Sequence, residues 1–141
     1  MGYNDWFEKH ASKHQKIIQK LQKKNYSQQQ IIEYFDFENM VESEIDFCPL
    51  YLKNQKCHEM EKLNCYLCAC PNFRFNDEGI EKVDSKTQYS LCSIDSKDGR
   101  QGVYGEKIHQ DCSSCSVPHH LSYVEKNFSD DWKTIMHKCH L

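Results

Sequence analysis

Two Cys-x-x-Cys pairs, "CYLC" at 65–68 and "CSSC" at 112–115, carry the strongest chemical signal in this sequence. Such a pair can close a tight turn whose backbone N–H groups hydrogen-bond two thiolates, and two such turns make a four-sulfur tetrahedral site. The pattern predicts a site shared by Cys65, Cys68, Cys112 and Cys115. The intervening segment 71–111 exceeds the usual ribbon spacing, so this pairing rests on ligand type and not on loop length. A third cysteine, Cys70, follows Cys68 after one residue. Two sulfurs on one tetrahedral zinc lie about 3.8 Å apart, given Zn–S near ~2.3 Å. Alternate residues of an extended strand are roughly 6.7 Å apart at the backbone. Read as extended, the stretch points Cys68 and Cys70 the same way, turns Ala69 to the other side, and leaves Cys70 to reach a second ion. Cys48, Cys57 or the adjoining His58, and His119 suffice to complete it. Two zinc ions sharing "CYLCAC" is the reading these residues favour, with Pro71 removing a backbone donor and fixing the exit direction.

The competing chemistry is an iron–sulfur cluster, because closely spaced cysteines followed by proline also hold such clusters. The single residue between Cys68 and Cys70 departs from the ferredoxin spacing. On that alternative the protein transfers electrons or assists a metalloenzyme. No glycine-rich phosphate loop, Gly-x-Ser-x-Gly or His-Glu-x-x-His motif is present. A thiolate nucleophile such as Cys92 would need a nearby base or positive charge. A structural zinc closed by four protein ligands has no open position for water or substrate, so the sequence leans away from an enzyme and towards partner binding.

Nine cysteines, an odd number, favour metal ligation over disulfides in a chain whose start, "MGYNDWFEKHASKH", is polar and unlike a signal peptide. No stretch approaches the apolar length of a membrane span. The expectation is a soluble cytoplasmic protein with no membrane association. The 18 Lys plus Arg against 21 Asp plus Glu give a formal charge of −3 over 141 residues, so nothing in the overall balance draws nucleic acid. A protein partner fits that charge better.

The elements that must position these ligands divide the chain into a helical hairpin over 1–45, a cysteine-rich metal-binding domain over 46–128, and a C-terminal helix and tail over 129–141. Phe7, Ala11, His14, Ile17, Ile18 and Leu21 recur at helical spacing and predict a helix over 5–23, with Asp5 and Glu8 as a capping box. Ser27 with Gln30 offers a second capping box for a helix carrying Ile31, Ile32, Tyr34 and Phe35. The middle part has scattered glycines, many Asp, Ser and Asn, and short apolar runs such as "QGVY". It reads as loops and short strands that need metal cross-links to order them. After Pro118, Leu121, Val124 and Phe128 recur at helical spacing, and Ser129 can cap a last helix through Trp132, Ile135 and Met136.

"KIIQKLQKKNYSQQQIIEYFDF" also resembles the first two helices of a helix-turn-helix DNA-binding regulator. The next segment, "ENMVESEIDF", would have to supply the recognition helix, and its acidic residues would be repelled by phosphates. Trp6, Trp132, Phe35 and Phe128 read as a small apolar core. Lys13, Lys16, Lys20, Lys23 and Lys24 read as a solvated face. His10 with His14 reads as a packed or solvent-facing pair, and "HKCHL" as a frayed end.

"CPLY", "KCH", "CYLCACPNF" and "DCSSCSVPH", in that order and followed by a helix like "YVEKNF", resemble a family of small cysteine-rich domains of bacteria and archaea described as metal-binding modules. The resemblance covers about residues 46–128. It implies a metal-binding role for Cys48, Cys57, Cys65, Cys68, Cys70, Cys112, Cys115 and His119. The insert "RFNDEGIEKVDSKTQYSLCSIDSKDGRQGVYGEKIHQ" departs from the family's shorter link, which leaves Cys92 without an assigned role. The expected fold is a small metal-stabilised α+β or irregular domain, with N- and C-terminal helices around a zinc-ribbon-like or zinc-knuckle cysteine-rich centre.

Overall fold

The computed structural model describes residues 2–141. The periodic first third forms three helices, α1 (Tyr3–Lys23), α2 (Gln28–Tyr34) and α3 (Phe37–Ser43). Along α1 the buried stripe is Phe7, His10, Ala11, His14, Ile17, Ile18 and Leu21, the spacing expected of an amphipathic helix with one face in the core. Ser27 and Gln30 form the capping box that opens α2, with Gln30 N–H donating to Ser27 Oγ and Ser27 N–H to Gln30 Oε1.

The start of α1 differs from the expected Asp5 and Glu8 box. Gly2 occupies the cap position and makes no side-chain cap bond. The carboxylate of Asp77, distant in sequence, accepts the Tyr3 and Asn4 backbone N–H groups at 2.9 Å each. A side chain on Gly2 would collide with that carboxylate.

The middle of the chain folds as short strands: β1 (Phe73–Phe75), β2 (Glu81–Val83), β3 (Lys86–Gln88), β4 (Ser90–Cys92), β5 (Arg100–Tyr104) and β6 (Lys107–Asp111). β1 and β4 pair antiparallel, with Phe73 opposite Cys92. The others form a four-stranded sheet in the order β2-β3-β6-β5, in which only β3 and β6 run parallel. Gly105, at φ +65°, turns the β5–β6 hairpin. Two short helices follow, α4 (Leu121–Asn127) and α5 (Trp132–Ile135). α5 is capped by Asp131, which accepts from Lys133 N–H at 3.1 Å, and not by the expected Ser129. The fold is therefore α+β, with helices at both ends of a region of short strands.

A single apolar core joins the helices to the cysteine-rich region. Ile18, Leu21, Ile32, Phe35 and Met40 from the first helices pack with Tyr66 and Leu67 of "CYLC" and with Trp132 and Met136. His14 Nε2–H donates to Tyr66 O at 3.1 Å, which ties α1 directly to the cysteine turn. Trp132 and Phe35 are buried as expected, and Phe128 packs against the core edge. Trp6 is instead exposed and stacks on His10, because Phe7 takes the inward position against Trp132.

The C-terminal tail is not frayed. Phe75 N–H donates to Cys139 O at 2.9 Å and Leu141 N–H to Phe75 O at 3.0 Å, so the tail lies along β1. Lys20 pairs with Glu44, and Lys13 Nζ donates to Asp46 O at 2.9 Å, so part of the basic face of α1 holds the turn after α3. Among the described residues no helix is long and apolar enough to cross a membrane.

Candidate metal centre

The "CYLCAC" segment is a turn and not the extended stretch expected from its spacing. Cys68 N–H donates to Cys65 O at 3.3 Å and Cys70 N–H to Leu67 O at 2.9 Å. Ala69 and Cys70 both adopt left-handed backbone, at φ +88° and +57°. This conformation costs a non-glycine residue roughly 1–2 kcal/mol, and such strain concentrates at functional sites. The turn reverses the chain between Cys68 and Cys70 and sets them among different thiol neighbours.

On one side of that reversal stand Cys48, Cys57, Cys65 and Cys68, close enough for their charges to influence one another. Cys48 precedes a single 3-10 turn, Pro49–Lys53, that brings Tyr51 inward. Burial pushes the Cys65 thiol up to about 12 and the Cys57 thiol up to about 11, with the neighbouring cysteines adding to both shifts. Burial also raises Cys68, while the Ala69 backbone N–H beside its sulfur pulls the other way. Thiols so placed stay neutral on their own, and a divalent cation supplies the positive charge that lets them ionise.

His119 approaches this group from the short helical turn Val117–His119. Its Nδ1–H donates to Asn64 O at 2.9 Å, and Asn64 N–H donates back to His119 O at 3.1 Å. With Nδ1 carrying the proton, Nε2 keeps its lone pair, and that atom lies 3.6 Å from Cys57 Sγ. A backbone carbonyl that fixes the tautomer and ring orientation of a histidine is the usual outer support of a metal ligand. His58 Nε2–H donates to Cys112 O at 3.0 Å, which leaves Nδ1, 3.0 Å from Cys57 Sγ, as an acceptor for that thiol. The ligand atoms of Cys57, His58 and His119 all lie within 4.8 Å of one another.

The buried Tyr51 hydroxyl has no hydrogen-bond partner, yet it neighbours Cys65 closely enough to lower that thiol's pKa against the effect of burial. A thiolate is a stronger acceptor than a neutral thiol, so a free hydroxyl beside this sulfur suits an ionised ligand. The donor set and its surroundings therefore fit a thiophilic ion such as zinc, with sulfur and imidazole nitrogen as ligands.

On the other side of the reversal the chain places Cys70, Cys92, Cys112 and Cys115. Cys115 N–H donates to Cys112 O at 3.0 Å, closing the "CSSC" turn. The two Cys-x-x-Cys pairs thus have different thiol neighbours, where the sequence pattern predicted one shared site. Cys65 and Cys68 stand with Cys48 and Cys57, and Cys112 and Cys115 with Cys70 and Cys92. Cys92 was the cysteine without an assigned role. The sequence carried no local signal for it, since only the pairing of β4 with β1 brings it to the others.

Cys139 is buried under the Cys70 turn, its thiol 3.6 Å from Cys70 O, and packs with the core. His10 and His14 are buried between aromatic rings. All nine cysteines are unpaired. Comparison with protein-family models, with curated proteins and with solved structures returned no match.

Proposed function

We propose that this protein is a zinc-binding module with two structural ions, acting through a protein partner. The observation that carries the reading is the Cys57–His119 contact. Its 3.6 Å separation equals the sulfur–nitrogen edge of about 3.6 Å in a tetrahedron with Zn–S near ~2.3 Å and Zn–N near ~2.05 Å. The proton on Nδ1, held by Asn64 O, leaves the facing nitrogen free to ligate. The Cys65–Cys68 turn supports a zinc-knuckle-like centre, because the Ala69 backbone N–H lies beside the Cys68 sulfur.

An ion closed by four protein ligands holds no position for water or substrate, and for that reason we assign the protein to binding and not to catalysis. A protein partner suits a net charge of −3 and an α3 whose exposed residues include Glu38 and Glu42, both of which repel phosphates. Unpaired thiols in this number suit a reducing compartment such as the cytoplasm.

The test is metal content and the visible spectrum of protein purified without oxygen. Close to two zinc ions per chain and no colour is the expected result. Iron with acid-labile sulfide and a broad brown absorption would replace this reading with redox chemistry.

A further inference from the structure

We propose that Cys70, Cys92, Cys112 and Cys115 form one all-sulfur zinc site, with Cys92 as the ligand supplied by the β-strand region. The assignment rests on the two-ion reading above but names a ligand set that the sequence motifs do not.

Three separated pieces of chain converge here through bonds that leave little freedom. Phe73 N–H donates to Cys70 O at 3.1 Å, which sets Cys70 just ahead of β1. Phe73 lies opposite Cys92 in the β1–β4 pair, and Ser93 N–H donates to Asn72 O at 2.8 Å, so Cys92 is locked beside the Cys70 turn. Beyond Cys92 the chain turns, with Asp95 N–H donating to Cys92 O at 3.2 Å, and delivers Ser96 Oγ to within 3.3 Å of Cys115 Sγ. The Cys112–Cys115 turn completes the ring.

All four cysteines line one mostly apolar cavity of about 290 Å³, which Cys57, His58, Cys68 and His119 of the first group border as well. Burial raises the Cys112 thiol to about 11, and Cys70, Cys115 and Cys92 add to that rise in turn. Cys70 is raised by burial, and then by Cys92 and Cys115, against the backbone N–H groups of Asn72 and Phe73.

The ordinary reading of a half-buried cysteine is a small apolar side chain filling a core. That reading suits Cys139, which packs among core residues. It does not suit these four, none of which belongs to the core cluster and all of which line one cavity. Four sulfurs with no oxygen donor among them select zinc over magnesium or calcium. A tetrahedral ion would draw together, by loss of four thiol protons, segments that otherwise share few apolar contacts.

The experiment measures zinc per chain in anaerobically purified wild type and in Cys92→Ser and Cys65→Ser. It also follows thiol alkylation of the wild type with and without a strong chelator, read by mass spectrometry at each cysteine. Expected is loss of one ion of two in each variant, and protection of Cys70, Cys92, Cys112 and Cys115 as a group that is released together by the chelator. The alkylation arm holds even where Cys92→Ser does not fold.

Two zinc ions retained in Cys92→Ser, or rapid alkylation of Cys92 in the loaded wild type, overturns the assignment and leaves the two-ion reading intact. A single ion in the wild type overturns the two-ion reading. In that case protection of these four cysteines sustains the assignment, and their free reaction ends it. Iron with sulfide on these cysteines overturns both.

Discussion

Tyr51 illustrates how a single hydroxyl can tune a buried sulfur. Its O–H has no hydrogen-bond partner and lies beside Cys65, so on the zinc reading a thiolate there would offer it a charge-assisted acceptor. Tyr51→Phe is expected to weaken zinc affinity by roughly tenfold, in the range seen when an outer partner of a ligand is removed. Competition with a chromophoric chelator checks it, and an unchanged affinity would show that the hydroxyl plays no part.

His10 and His14 make the opposite case, since burial holds both neutral by pushing their pKa values down to about 3 and about 4. An unfolded chain protonates them at the usual 6.5, so the stability they lend is complete above pH 6.5. It is lost as pH falls from 6.5 towards 3–4. The loss between pH 8 and pH 5 is about 2 kcal/mol for each. His10→Phe should flatten the acid side of the stability curve, as followed by urea unfolding at pH 8 and pH 5. An unaltered slope would place the acid sensitivity elsewhere.

At the scale of elements, α1 depends on a cap supplied from far along the chain. Asp77→Ala removes the acceptor for two backbone N–H groups and should lower stability by about 1 kcal/mol, measurable as a fall in the urea midpoint. Asp5→Ala should do much less, which separates the observed cap from the one the sequence suggests. This contrast marks where the sequence was legible. Periodicity located α1 and α2 and the inward side of each, because burial of one helical face leaves a direct trace in residue type. The Ser27–Gln30 box was legible because both partners sit within one turn.

The Asp77 cap, the left-handed turn at Ala69 and Cys70, and the meeting of Cys92 with Cys70 were not, since each depends on contacts or backbone conformations that no local pattern encodes. The cysteines and histidines proposed as ligands stand out in the sequence, and which thiols neighbour one another does not. Cys-x-x-Cys pairs announce metal chemistry, but which pair meets which is decided by the chain reversal at Ala69 and by the register of β1 on β4.

For the whole molecule, the strand region contributes little to the apolar packing. The core runs through the helices and Tyr66, Leu67 and Phe75, whereas from β2 to β6 Ile108 is the only buried hydrophobic residue among the described residues. Removal of metal should therefore leave α1 folded and loosen the strands. Hydrogen exchange after chelation is expected to accelerate strongly over 81–116 and little over 7–21. Uniform acceleration along the chain would mean that the ions hold the helical core as well.

The pairing of Phe7 with Trp132, reinforced by an ion pair between Glu8 and Lys133 at 2.6 Å, has a consequence for biosynthesis. α1 leaves the ribosome before that tryptophan and cannot bury its apolar face against it until the strand region and α4 have been made. Eight cysteines emerge in the interval. The nascent chain thus presents open thiols before its core closes, and on the proposed two-ion reading capture of the ions would precede consolidation of the helices.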